Sequence, residues 1–261
     1  MKNDDRATYI TAEIGVNAGL DWGVAKQLID HAHDAGANAV KFQMWHPDRF
    51  PDLAHLRTPE LSLLASKEHT EDLGMDWYCT PFDLYSIGWL AHIGMTQWKV
   101  PSGMITNLKF LRAIIGVCVS TDRIHMSTGG ATAEEVSYAY NRCGGIPYHC
   151  VTCYPAPLSE LNLAAIRGFL SRYGVAGYSD HSGNPIISPL AVAAGATHLE
   201  VHLTLDKSLP GPDHRASLTP DEFTQMVKWV REVEGIMGSG EKVPADCELE
   251  TITKIRERMA L

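Results

Sequence analysis

Short runs of apolar and β-branched residues alternate with segments of helical spacing along the whole chain. The strand-like runs fall near Thr8–Val16, Ala39–Gln43, Asp76–Phe82, Gln97–Ser102, Arg123–Thr128, Pro147–Thr152, Val175–His181 and Thr197–Thr204. Between them apolar positions recur every three or four residues, as at Val24, Leu28, Ile29, Ala32 and Ala35, or at Phe223, Met226, Val227 and Val230. Several of these segments open on a residue whose side chain can accept from the first free backbone N–H groups: Asp21, Thr132 ahead of Glu134 and Glu135, and Thr219 followed by Pro220. Gly36, Gly74, Gly94 and Gly174 stand where helices should stop. Eight strand–helix repeats predict a single (β/α)8 TIM barrel over residues 1–240, with a tail, 241–261, expected to be helical. No Gly-rich phosphate fingerprint follows the first strand, which counts against an open doubly wound sheet.

The last strand is patterned backwards for a simple core. His198, Glu200, His202 and Thr204 share one face, and Leu199, Val201 and Leu203 share the other. Charges flanked by apolar neighbours recur on other strands: Glu13 between Ala12 and Ile14, Lys41 between Val40 and Phe42, and Lys99 between Trp98 and Val100. A buried unpaired charge costs several kcal/mol even after relaxation, so these groups require ion-pair partners, a ligand, or both.

Composition narrows the function. A formal charge of −9 and an isoelectric point near 5.7, with no cluster of Lys and Arg, argue against nucleic-acid binding. The first six residues, Met1–Arg6, lack the order of a secretory signal, and no apolar run is long enough to span a membrane; a cytoplasmic protein is expected. The six cysteines have no disulfide-scaffold spacing. Cys150-Val151-Thr152-Cys153 matches C-x-x-C but falls in a predicted strand, where residues three apart point to opposite faces, so a redox or zinc role is not expected.

Catalytic groups of such barrels sit at the C-terminal ends of the strands. Hydroxyls and glycines end several of them, at Ser102-Gly103, Ser127-Thr128-Gly129-Gly130, Thr152 and Ser179, and with the two lysines they make a cradle suited to phosphate and carboxylate. His181 and His202 stand at the ends of consecutive strands. Two neutral imidazoles so placed suit an open divalent site, Mn²⁺ or Mg²⁺, rather than structural zinc, which wants four protein ligands.

The strings Ala12-Glu13-Ile14-Gly15-Val16-Asn17, Ala39-Val40-Lys41-Phe42-Gln43, Thr80-Pro81-Phe82-Asp83, Lys99-Val100-Pro101-Ser102-Gly103, Ser127-Thr128-Gly129, His149-Cys150-Val151-Thr152-Cys153-Tyr154-Pro155, Gly177-Tyr178-Ser179-Asp180-His181 and Gly211-Pro212-Asp213-His214 resemble, in order, those of the sialic acid synthase (NeuB) family. The resemblance implies a transferase that condenses phosphoenolpyruvate with a sugar aldehyde similar to N-acetylmannosamine, giving a sialic-acid-like 2-keto-3-deoxy acid and phosphate. It implies that Lys41, Lys99, Ser102, Ser127, Thr152 and Ser179 hold phosphoenolpyruvate, that His181 and His202 hold the divalent metal, that Tyr154 and Asp213 face the sugar, and that Glu13 acts near the reacting carbons.

Departures from the family pattern concentrate on the acceptor side. Met104 replaces a glutamate, Ala18 a histidine and Val201 a lysine; Thr152 stands where Asn or Ser is common; and the connection from Met44 to Glu60 is short. The antifreeze-like domain that follows the barrel in many members is not expected within these residues. A homodimer is left open. Two other readings compete with the synthase: a non-catalytic relative with a regulatory or assembly role, and a metal-dependent aldolase or lyase acting on pyruvate.

Overall fold

The computed structural model describes residues 7–260; the expected domain limits at 1 and 261, and the reading of Met1–Arg6, lie outside them. Eight strands, β1 (Tyr9–Gly15), β2 (Ala39–Met44), β3 (Asp76–Pro81), β4 (Trp98–Val100), β5 (Ile124–Ser127), β6 (Ile146–His149), β7 (Gly177–Asp180) and β8 (His198–His202), close into one parallel barrel in sequence order. Helices α1 (Trp22–Ala35), α2 (Glu60–Asp72), α3 (Leu84–His92), α4 (Leu108–Val117), α5 (Ala133–Cys143), α6 (Ala165–Tyr173), α7 (Ile187–Ala193) and α8 (Pro220–Met237) follow the strands in turn. The expected eightfold barrel is present. A ninth helix, α9 (Asp246–Met259), buries none of its residues. Among the described residues no helix is long and apolar enough to cross a membrane.

Local chemistry sets the helix starts. Asp21 caps α1 by accepting from the N–H groups of Gly23 and Val24, and Thr132 and Thr219 each form a capping box, with Glu135 and Glu222. The strands are shorter than their apolar runs. β6 stops at His149, so Cys150 and Cys153 lie in the loop after it rather than within a strand; both are free thiols, the first buried and the second exposed.

Strand alternation divides the core in two. Ile10, Ala12, Ile14, Val40, Phe42, Trp98, Val100, Leu199 and Val201 face the helices and form the apolar layer, while the opposite residues fill the barrel. At its N-terminal end the interior is plugged by aromatic and imidazole rings. Tyr78 stacks on His125 at 5.1 Å, His125 hydrogen-bonds to the Tyr148 hydroxyl (2.9 Å) and to the Gln97 side-chain oxygen (3.0 Å), and the Gln97 amide donates to Asp76 (2.7 Å). This layer closes the bottom, so the polar residues above it open only toward the C-terminal ends of the strands.

Candidate active site

Register sets the buried polar residues of neighbouring strands side by side. Glu13 of β1 is paired with Lys41 of β2 on one side and with His202 of β8 on the other, and Ser179 of β7 is paired with Glu200 of β8. Period-two alternation points Glu13, Lys41, Lys99 and Glu200 inward, where they form a connected quartet of ion pairs. Lys41 Nζ lies 2.8 Å from Glu13 Oε2 and 3.6 Å from Glu200 Oε2, and Lys99 Nζ lies 2.8 Å from the same Glu200 oxygen. All four side chains are at least 95% buried.

Neutral groups complete the quartet. Lys41 donates to Thr80 Oγ1 at 2.7 Å, the Gln43 amide donates to Glu13 Oε1 at 2.8 Å, and Ser179 donates to Glu200 Oε1 at 3.0 Å. Lys99 sits 4.0 Å above the Tyr148 ring, a cation–π contact with the plugging layer. At the end of β1, Gly15 takes φ +53°, and a Cβ there would come within 3.0 Å of Glu13 Oε1 and 3.1 Å of Gln43 Nε2, crowding the bond that holds the carboxylate.

The environments push the two carboxylates apart. Burial raises Glu13 to about 7, with the nearby Glu200 charge adding to the rise and Lys41 opposing it. Burial also opposes ionisation of Glu200, but Lys41 and Lys99 on either side outweigh it and hold the group well below the ordinary carboxylate range. Burial works against both ammonium groups. In Lys41 the charges of Glu13 and Glu200 overcome it and the pKa rises; in Lys99 burial prevails and the pKa falls. Glu200 is thus the fixed counter-ion, and Glu13 is the member able to exchange a proton near neutrality.

Above the quartet a cleft of about 160 Å³ opens to solvent. Its lining includes Glu13, Lys41, Lys99, Ser102, Ser127, Thr152, Tyr154, His181 and His202, nine of the eleven residues expected from the sequence. The other two adjoin it. Ser179 is buried beneath, bonded to Glu200, and Asp213 lies at the edge with Oδ2 3.6 Å from His202 Nδ1. Glu200, Gln43, Thr80 and Phe82 also line the cleft or its edge and were not singled out. For Glu200 the signal was present, since it lies between His198 and His202 on the inward face. Met104 does not reach the cleft; it packs partly on the apolar core and lines a separate depression with Arg49, Asp83 and Lys109.

On one wall hydroxyl groups converge around a glycine. Gly129 N–H donates to Ser102 Oγ at 3.1 Å, and the same hydroxyl meets Cys150 Sγ at 3.6 Å. A Cβ on Gly129 would fall 2.0 Å from Thr152 Oγ1 and 3.1 Å from both Ser102 Oγ and Cys150 Sγ, so only glycine lets these groups converge.

The opposite wall carries the imidazoles. His181 Nδ1 donates to the Val151 carbonyl at 2.7 Å, leaving the Nε2 lone pair beside Ser179 Oγ and Tyr154 OH, each at 3.2 Å. The His181 and His202 rings lie 5.5 Å apart, and His202 Nδ1 is buried without a hydrogen-bond partner. Burial lowers both to about 4, so each is a neutral donor at pH 7. Two neutral imidazoles, one with an unsatisfied nitrogen, fit a divalent ion that takes its remaining oxygens from water and substrate. Among the described residues, no three His, Cys, Asp or Glu side chains form a ready-made metal cage.

Residues 52–242 match the model of the NeuB family. The chain belongs to the NeuB family. It is 35% identical to an N,N'-diacetyllegionaminic acid synthase of Campylobacter jejuni over 97% of this chain and 84% of that protein. A second protein of that name, from Legionella pneumophila, is 34% identical over 97% of this chain and 80% of its own length. The fold superposes with a TM-score of 0.87 on an N-acetylneuraminic acid synthetase of Leptospira borgpetersenii solved in complex with citrate, at 33% identity, covering 95% of this chain and 91% of that one. With that membership the chain is an enzyme of the sialic acid synthase type.

Proposed function

We propose that this NeuB-family enzyme condenses phosphoenolpyruvate with an open-chain amino-sugar aldehyde, forming a nonulosonic acid and releasing phosphate by C–O cleavage. The observation that carries the proposal is the buried Glu13–Lys41–Glu200–Lys99 quartet beneath a cleft with a hydroxyl and glycine cradle on one wall and two neutral imidazoles on the other.

In this reading Lys41 and Lys99 face the carboxylate and phosphate of phosphoenolpyruvate, and Ser102, Ser127 and Thr152 donate to its oxygens. Tyr154 and Asp213 orient the acceptor. His181 and His202 would hold Mn²⁺ or Mg²⁺, which when bound supplies polarisation of the acceptor's aldehyde oxygen. C3 of phosphoenolpyruvate then attacks the aldehyde carbon, and positive charge develops at C2 beside the Glu13 carboxylate. Water adds at C2, with Glu13 accepting its proton; the resulting hemiketal phosphate collapses with loss of phosphate, and the bridging oxygen leaves with phosphorus. A group whose pKa lies near 7 serves both ends of that transfer.

The test is release of inorganic phosphate from phosphoenolpyruvate, with Mn²⁺ and a panel of amino-sugar aldehydes, in the presence and absence of chelator. Phosphate release dependent on both acceptor and metal is expected, with ¹⁸O from labelled water appearing at C2 of the product. Absence of phosphate with every acceptor would sink the proposal. Lys99, whose pKa is lowered by burial, is the lysine suited to a Schiff base; trapping with borohydride and pyruvate on that residue would favour an aldolase instead.

A further inference from the structure

Beyond α8 the chain passes through Gly238 and Gly240, both at positive φ, and then forms α9, none of whose 14 residues is buried among the described residues. A helix of that length is marginal in water by itself, because most helical stability comes from packing an apolar face. Such a face is present. At about 100° per residue Leu249, Ile252, Ile255 and Met259 fall on one side of α9, and Leu249, Ile255 and Met259 are exposed.

The charges of the same helix are arranged about its midpoint. Asp246, Glu248 and Glu250 precede Ile252 by six, four and two positions, and Lys254, Arg256 and Arg258 follow it by two, four and six. Leu249 and Ile255 stand three positions to either side of it, and Thr251 and Thr253 one position. Apolar character is thus mirrored about Ile252, while charge is inverted. Glu257, opposite Cys247, is the one charge without a counterpart.

A contact between identical chains about a two-fold axis requires a self-complementary patch, and this inverted symmetry supplies one. With two α9 helices laid antiparallel and the axis at Ile252, Leu249 of one copy lies level with Ile255 of the other, and each acidic half faces a basic half. A parallel copy in register would set acid against acid and base against base. A partner of different sequence would not call for the inverted pattern.

We infer that α9 is an association helix through which two copies of this chain pair antiparallel. Glu248 and Arg256, each within about 40° of Ile252 around the helix, flank the apolar face and pair across the contact. The tail leaves the barrel at its N-terminal end, where Gly238 and Ser239 line a depression with Thr8 and Thr197, so association leaves both clefts open.

The test is sedimentation equilibrium of the full chain over a range of concentrations, because a two-helix contact is small and its association reversible. The unaltered protein should approach twice the 28.7 kDa of one chain as concentration rises. Ile252→Glu sets two carboxylates at the axis and should weaken association at least tenfold, leaving the thermal unfolding midpoint at low concentration unchanged, since α9 contributes no buried residue. Glu248→Arg and Arg256→Glu should each weaken self-association at least tenfold. An equimolar mixture of those two variants should associate as the unaltered protein does, because every mixed pair regains two Arg–Glu contacts. Glu248→Arg also removes the bond its carboxylate accepts from Ala245 N–H (3.0 Å), but that loss is the same alone and in the mixture and cannot explain recovery. A single-chain mass at every concentration would overturn the inference. So would a dimer indifferent to Ile252→Glu, or a mixture that associates no better than its components.

Discussion

Glu200 Oε2 lies 2.8 Å from Lys99 Nζ at the floor of the barrel, and the same oxygen is 3.6 Å from Lys41. One carboxylate thus pairs with Lys99 and lies beside Lys41, whose nearer partner is Glu13 at 2.8 Å. Removing its charge while keeping its shape, in Glu200→Gln, strands Lys99, whose pKa burial already lowers. Breaking a buried pair costs about 3–5 kcal/mol. The variant should lose stability of that order in urea unfolding and bind phosphoenolpyruvate at least tenfold more weakly, because Lys99 will shed its proton; unchanged binding would remove Lys99 from the anion site.

Gly129→Ala tests the cradle without touching a charge. The added methyl would stand 2.0 Å from Thr152 Oγ1, and Thr152, exposed on its loop, can swing away. The backbone at Gly129 is not in the left-handed region, so no conformational strain accompanies the change. We expect a rise of tenfold or more in KM for phosphoenolpyruvate and a change in folding stability within about 1 kcal/mol. A normal KM would place the phosphate elsewhere.

How much of this was legible in advance depended on whether a feature is local. The inward positions of Glu13, Lys41, Lys99 and His202 follow from period-two alternation, and the caps at Asp21, Thr132 and Thr219 follow from neighbouring residues alone. The role of Glu200 was harder to read because its two partners come from β2 and β4, neither of which adjoins β8 in the closed sheet. Strand ends were overestimated where the apolar run continues into a loop, as at Val151, which left Cys150 and Cys153 misplaced. The place of Met104 was hidden for a related reason: Ser102–Met104 forms a 3₁₀ turn, and Met104 lines a depression separate from the cleft.

The imidazole pair predicts the metal response. His202→Ala removes one of two neutral donors and leaves Asp213 without the ring it faces. Mn²⁺ affinity measured by titration should fall at least a hundredfold, and phosphate release should fall with it. In the unaltered enzyme, chelator should abolish activity and added Mn²⁺ restore it. Retention of Mn²⁺ binding by the variant would reject His202 as a ligand.

Stability of the metal-free protein should rise with pH between about 4 and 6.5. Burial lowers His181, His198 and His202 to about 4, and lowers His125 further, against 6.5 for an exposed imidazole. In that window the unfolded chain binds more protons than the folded one, so acid favours unfolding, at up to roughly 3 kcal/mol per histidine. Glu13 acts in the opposite sense. Its folded pKa of about 7 lies above its unfolded value of 4.5, so its contribution is present below pH 4.5 and is lost as pH rises through 7. Asp180 and Asp213, likewise raised by burial, act in the same sense as Glu13, but four lowered histidines outweigh the three carboxyl groups, hence the net rise. Glu13→Gln removes its opposing contribution and should steepen the dependence of the urea midpoint on pH between 4.5 and 6.5, with chelator present throughout. An unchanged or shallower slope would mean that Glu13 stays ionised in the folded state, held by Lys41, and that its pKa is not raised toward that of a base matched to neutral pH.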